Sequence, residues 1–417
     1  YSTSSITAIS GMFQNCSSLT TIDLSKFDIS KVTNLNAMFS GCSSLTTIYV
    51  SEFNSETNTG WTTSAVTNSG NMFSNCTKIV GGNGTTFNSS YTDKTYAVID
   101  TAETPGYLTN INGNQQVNRL ISASSVAATG AYLKGTIKKN KIETIEFKLG
   151  KEQPEGTAEI FDASEKQDES IIGYYTDTDG NNLYELTFAS DEVIATNKNA
   201  QYLFQNLTNL TSIEFNNFST YGVTGMQQMF YNCSGLTTVN LSNFNTTNVI
   251  DMQSMFGNCS GLTTLDVSKF NTSNVTNMQS MFGNCSGLTT LEVSNFNTSK
   301  VTNMNSMFGK CSGLTTLDLS NFDTSQVTRF GTYSGYSYGG MFENCTNLEN
   351  IDMSNWNTSK ATSFVRMFIG CSKLTSLDIS NFNTSSVKSM GNMFDACTSL
   401  TTLDVSNFNT SNVTNMQ

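Results

Sequence analysis

Two sets of residues in this sequence have the types and spacing to do chemistry. The first is a column of carboxylates, Asp266, Glu292, Asp318, Asp352, Asp378 and Asp404, with Asp23 at the equivalent position near the start of the chain. Each recurs at one position of a repeat, so stacking the repeats sets like charges about 5 Å apart, at roughly 0.8 kcal/mol per neighbour even in water. Something must compensate: hydrogen bonds from flanking Ser, Thr and turn amides, or calcium or a cationic ligand held along the column. The second set is Arg329-Phe-Gly-Thr-Tyr-Ser-Gly-Tyr-Ser-Tyr-Gly-Gly340, which carries an eight-residue insertion. Its Tyr333, Tyr336 and Tyr338 stand in a Gly/Ser background like the aromatic anchors of a paratope loop, and with Arg329 they are candidates for ligand binding. The plain alternative is a surface loop. Catalysis has nothing comparable: histidine is absent, which removes His triads, His metal sites and imidazole acid–base chemistry. No carboxylate pair stands apart from the repeat, so the expectation is a protein that is not an enzyme and has no resident cofactor.

Composition narrows the partners. Across 417 residues, 33 acidic side chains against 21 Lys and Arg leave a net charge of −12, which repels phosphate backbones and argues against nucleic acid. No apolar run approaches the roughly 18 residues of a membrane span.

The elements that must position these residues come from a repeat. Cys233, Cys259, Cys285 and Cys311 are spaced by 26 residues, as are Cys345, Cys371 and Cys397, and Cys16 and Cys42. The gaps from Cys42 to Cys76 and from Cys311 to Cys345 are 34, and Leu207 extends the later series back by one unit. Within a unit, Val275, Met278, Phe282 and Cys285 fall at i, i+3, i+7 and i+10, the spacing of one helix face. Ser273 or Asn274 is placed to cap that helix, and Gly287 to end it in the left-handed region. Leu288, Leu291, Val293 and Phe296 follow, with Leu291 and Val293 alternating as in a strand. One unit therefore reads as short helix, turn, short strand, turn. Burying about eight apolar side chains at roughly 2 kcal/mol each does not offset about 1–2 kcal/mol of backbone entropy per residue, so a unit folds only against its neighbours. The predicted class is α/β: a solenoid with one short helix and one short parallel strand per repeat.

In that frame the cysteines are too widely stacked to pair and read as a buried column of free thiols acting as small hydrophobes. The methionines Met252, Met255, Met278, Met281, Met304 and Met307 read as core rather than as a soft-metal ladder. Asn271-Thr-Ser and Asn274-Val-Thr match glycosylation sequons, but turns and caps require the same residues.

Units of the form Met-Phe-x-x-Cys-Ser-x-Leu-Thr-x-Leu-Asp-x-Ser-x-Phe-Asn-Thr-Ser-x-Val-Thr-Asn-Met resemble the BspA-like leucine-rich-repeat surface proteins. Gly81 to Asp100 with Pro105-Gly-Tyr-Leu-Thr109 is similar to the segment that closes such arrays, and Phe161–Asp168 through Tyr202-Leu-Phe204 to the one that opens them. The resemblance implies a leucine-rich-repeat solenoid, with residues 1–110 as the end of one array and its closing cap. Residues 111–200 become a β-rich connector with an opening cap, and 201–417 a second array. Because both termini align inside a unit, we expect a fragment of a longer tandem-module protein. The resemblance further implies an extracellular, cell-surface protein, bacterial in origin, that mediates adhesion to a protein or glycan on host, matrix or neighbouring cells. The alternative is a structural filament or stalk of self-associating modules.

Overall fold

In the computed structural model the described residues are all except 1, 2, 4, 52, 54–59, 83, 101–103, 111–116, 125, 335, 336 and 417. The chain divides into two compact units, Tyr1–Gln116 and Val117–Gln417.

The expected helix per repeat does not form. Among the described residues, helix is confined to two three-residue 3-10 turns, Lys94–Tyr96 and Lys139–Lys141, neither of which lies in the Met-Phe-x-x-Cys segments. Each such segment is a train of turns whose N–H groups alternate between two destinations. Met281, Gly283 and Cys285 donate three residues back, to Met278, Ser280 and Phe282, at 3.0–3.2 Å. Met278, Ser280, Phe282 and Asn284 instead donate across, to the carbonyls of Asn303, Asn305, Met307 and Gly309 in the next unit, at 2.7–3.1 Å. An α-helix would close all of these bonds within the segment. Left-handed residues recur every fourth position, Ser280 (φ 53°) and Asn284 (φ 61°) here, Ser254 and Asn258, Ser306 and Lys310 beside them. A left-handed residue ends a helix rather than continuing it, and Asn tolerates the conformation through its short polar side chain. The apolar spacing itself holds, since Val275, Met278, Phe282 and Cys285 are all fully buried. A turn train with a left-handed residue every fourth position serves the same spacing.

The predicted cap residues change role accordingly. Gly287 is not left-handed; a Cβ there would sit 2.6 Å from the Leu262 carbonyl and 2.8 Å from that of Ser260, so glycine is required by close approach of the preceding unit. Asn271 accepts from the Ser273 N–H at 3.0 Å, and the Asn274 amide donates to Thr247 at 2.9 Å. The leucine-rich-repeat α/β class is therefore corrected to a mainly β, turn-built stack with several small separate sheets.

In the first unit, β1 (Thr21–Asp23), β2 (Thr47–Val50) and β3 (Thr109–Asn110) pair in parallel. Phe13, Phe39 and Phe73 stack at 5.5 and 5.7 Å, and Tyr107 packs edge-on against Phe73, covering the end of that column. Trp61 is buried and its Nε1 donates to Ala97 at 2.9 Å.

The second unit opens on a β-rich segment: β4 (Val117–Arg119), β5 (Ile142–Leu149), β6 (Glu159–Asp162), β7 (Ile172–Thr176), β8 (Tyr184–Ser190), β9 (Val193–Ala195), β10 (Ser212–Glu214) and β11 (Phe218–Ser219). Its main sheet runs β10-β5-β8-β7-β6, and β10 already belongs to the first repeat after residue 200, so the repeats start on an existing sheet edge. From there single parallel bridges link Asn199, Gly225, Asp251, Asn277, Asn303 and Arg329 in succession. A strand at the predicted Leu-x-hydrophobic position is formed where β12 (Thr316–Asp318) pairs with β15 (Asn350–Asp352). Phenylalanines 204, 230, 256, 282, 308, 342, 368 and 394 stack at 5.1–6.0 Å into one column through the core. No helix of the described residues is long and apolar enough to cross a membrane.

Candidate functional site

Many polar side chains of the regular units hold one unit on the next. Thr246 is 2% exposed; its hydroxyl donates to the Asn271 carbonyl at 3.0 Å and accepts from the Asn271 N–H at 2.8 Å. Thr324, Thr358 and Thr384 repeat the two bonds. The amide of Asn381 donates to three carbonyls of the unit before it, those of Met353, Ser354 and Trp356.

The cysteines are free and, apart from Cys16 and Cys397, buried. They are more than small hydrophobes: Cys259, Cys285 and Cys311 each donate a thiol hydrogen bond, at 3.0–3.1 Å, to the carbonyl of Phe230, Phe256 and Phe282 in the preceding unit. Burial pushes the thiols of Cys233, Cys311 and Cys371 up to about 12 and those of Cys259, Cys285 and Cys345 well above their ordinary value. Held as thiols, they are neither nucleophiles nor metal ligands.

The acidic column is exposed along its length. Glu292, Asp318, Asp352 and Asp378 line a shallow groove of about 410 Å3 together with Thr290, Thr316 and Asn350. Asp266, Asp318, Asp352, Asp378 and Asp404 each accept from the N–H of the serine two residues on, at 2.9–3.0 Å, as does Asp23 at 2.8 Å. These hydrogen bonds, the serine side chain's first and its backbone's second, hold Asp266, Asp318, Asp378 and Asp404 below the usual carboxylate range. The compensation expected from flanking serines is therefore present. The calcium alternative lacks a cage: among the described residues no three Asp, Glu or Cys side chains gather as a metal site. One carboxylate per unit is a ladder, not a chelate.

The insertion is a β-hairpin. β13 (Arg329–Ser334) pairs antiparallel with β14 (Ser337–Gly340), and β13 also runs parallel to β16 (Ser363–Phe364) in the next unit. Tyr333 and Tyr338 are backbone register partners across the hairpin; Tyr336 lies outside the described residues. Glycines let the hairpin seat closely, since a Cβ at Gly331 or Gly340 would fall within 1.8 Å of the Val365 or Arg366 carbonyl. Glu343, 6% exposed, clamps its base: the carboxylate accepts from the Gly340 N–H at 3.1 Å and pairs with the Arg366 guanidinium at 3.0 Å.

Arg329 is exposed and continues the bridge column. Beside it lies the larger groove, about 560 Å3, lined by Asn303, Asn305, Arg329, Thr332, Ser363, Lys388 and their neighbours, with no carboxylate in its lining. The two sets stay apart in the structure, with Arg329 in a cationic, hydroxyl-rich groove and Glu292, Asp318, Asp352 and Asp378 in another. Asn305 and Lys388 escaped the sequence reading. The available signal was the residue that takes Asn277's and Asn303's place in the next unit, where the series turns to Arg329.

No curated protein and no solved structure matches the chain. A family described as "Mycoplasma protein of unknown function, DUF285" matches residues 1–108, 198–292, 263–333 and 336–417, leaving the β-rich segment between the two sets of repeats unmatched. With the repeats accounting for well over half of the sequence, the chain belongs to the DUF285 family.

Proposed function

We propose that this chain is an interaction module of an extracellular surface protein, one that adheres to a protein or glycan on host, matrix or neighbouring cells. The observation that carries the reading is the break in the repeat: a glycine-seated, ion-pair-clamped hairpin borders the 560 Å3 groove, while polar groups of the regular units serve the stack. A rigid stack with a local irregularity is how a repeat scaffold offers one distinct contact surface among identical ones. The repeat consensus, similar to that of BspA-like surface proteins, supports the extracellular placement.

The test is saturable binding of the labelled chain to cells and to extracellular matrix, alongside a variant whose insertion is deleted to restore the 26-residue spacing. Saturable binding lost on deletion supports the reading. Absence of saturable binding, with concentration-dependent association by sedimentation velocity, replaces it with the filament.

A further inference from the structure

We propose that the groove beside the hairpin binds an acidic polysaccharide, with Arg329 and Lys388 holding its carboxylates and Asn305 accepting from a sugar hydroxyl. The proposal rests on the interaction reading above and names its ligand.

The argument starts from a ladder that stops. In the regular units the amide of Asn277 donates to Gln253 Oε1 at 3.1 Å, and that of Asn303 donates to Gln279 Oε1 at 2.9 Å. The next rung would join residue 329 to residue 305. There Arg329 replaces the asparagine and Asn305 replaces the longer glutamine, and no bond forms between them. Asn305 is 5% exposed, yet its Oδ1 has no hydrogen-bond partner among the described residues. Leaving a buried acceptor unpaired is costly, so a donor from outside would be favoured there.

Arg329 is free as well, and so is Lys388; both are exposed, and neither makes an ion pair among the described residues. Arg329, Ser363 and Ser389 are consecutive rungs of the parallel column, so the two cations lie two rungs apart, roughly 10 Å along the stack at ordinary strand spacing. The remaining lining among the described residues is hydroxyl and amide, with Val365 the one apolar side chain among them. That lining suits a hydroxyl-rich chain carrying carboxylates at intervals. It offers no apolar pockets for the side chains of a peptide. Because the whole chain carries −12, attraction of an anion is local and fades with added salt.

The probe is a hyaluronan octasaccharide, in which uronates alternate with neutral sugars, titrated calorimetrically into the full chain at low and high salt. Binding that weakens at least tenfold with Arg329→Gln or Lys388→Gln, and with the carboxyl-reduced octasaccharide, supports the proposal. Asn305→Gln, which installs the residue of the regular units, should also weaken binding at unchanged Tm. Absence of binding, binding indifferent to these substitutions, or equal binding of poly-glutamate overturns it. Cell binding that depends on the hairpin but survives Arg329→Gln would sink the polysaccharide alone and leave the adhesive reading standing.

Discussion

The units between Cys233 and Cys311 and the interrupted unit that follows are built from the same consensus but treat their polar groups differently. In the regular stretch the thiols, the buried threonines and the asparagine–glutamine rungs all bond to the adjacent unit. At the interruption the rung fails, a hairpin is seated on glycines, and neither an ion pair for the Arg329 side chain nor a partner for the buried Asn305 Oδ1 is found among the described residues. The regular units turn many of their polar groups to the stack, and the interruption leaves the Arg329 side chain and the Asn305 oxygen out of it.

The largest test of that contrast is alkaline titration. The buried thiols have folded-state values raised above their ordinary 9.0, so their contribution to stability is flat below pH 9, where both folded and unfolded chains keep the thiol protons. It then falls as pH climbs from 9 towards about 12, because the unfolded chain ionises first. Lys139 acts in the opposite sense: burial lowers it to about 8, which adds stability as pH rises from 8 towards its ordinary 10.5. One lysine is outnumbered by the thiol column, and circular dichroism should show cooperative loss of structure above pH 9. Retention of the fold to pH 12 would mean the column is not as dry as its burial states.

Next in size, Phe282→Ala removes a fully buried ring from the middle of the column and should cost about 3–5 kcal/mol by denaturant unfolding. Arg329→Ala should leave the midpoint unchanged within about 0.5 kcal/mol. Equal effects from the two would erase the distinction between stack and site. Thr246→Val keeps the shape but strands the N–H and carbonyl of Asn271, for a loss of about 1–3 kcal/mol. A neutral outcome would show that these buried bonds are replaceable. The smallest effect belongs to Asp318→Asn, which preserves the acceptor for the Ser320 N–H and should change stability by less than about 0.5 kcal/mol.

Much of this was legible in the residues. The unit length, the cysteine, methionine and phenylalanine columns and the exposed carboxylates follow from spacing, because a 26-residue period fixes which side chains must stack. The turn train was not legible, because Val275, Met278, Phe282 and Cys285 fit a helix face and a turn train equally well. What separates the two is the residue before the cysteine, Asn232, Asn258, Asn284 or Asn344, which is left-handed each time. A recurrent asparagine there, amid serine and glycine, is poor helix material and a positive signal for turns. Arg329 stood out in the sequence, but its groove did not, since Lys388 lies 59 residues further along and reaches it only through the register of the stack.

The alternation of N–H partners also bears on how the chain acquires its structure. Half of each turn train is completed by the unit that follows it, and β10 joins the repeats to β5, a strand made before them during synthesis. The β5 edge is thus in the chain before the repeats that add to it, and each later unit meets an edge whose N–H groups lack only its carbonyls. Each added unit then closes a loop of about 25 residues, a short and repeated entropy cost rather than one long closure.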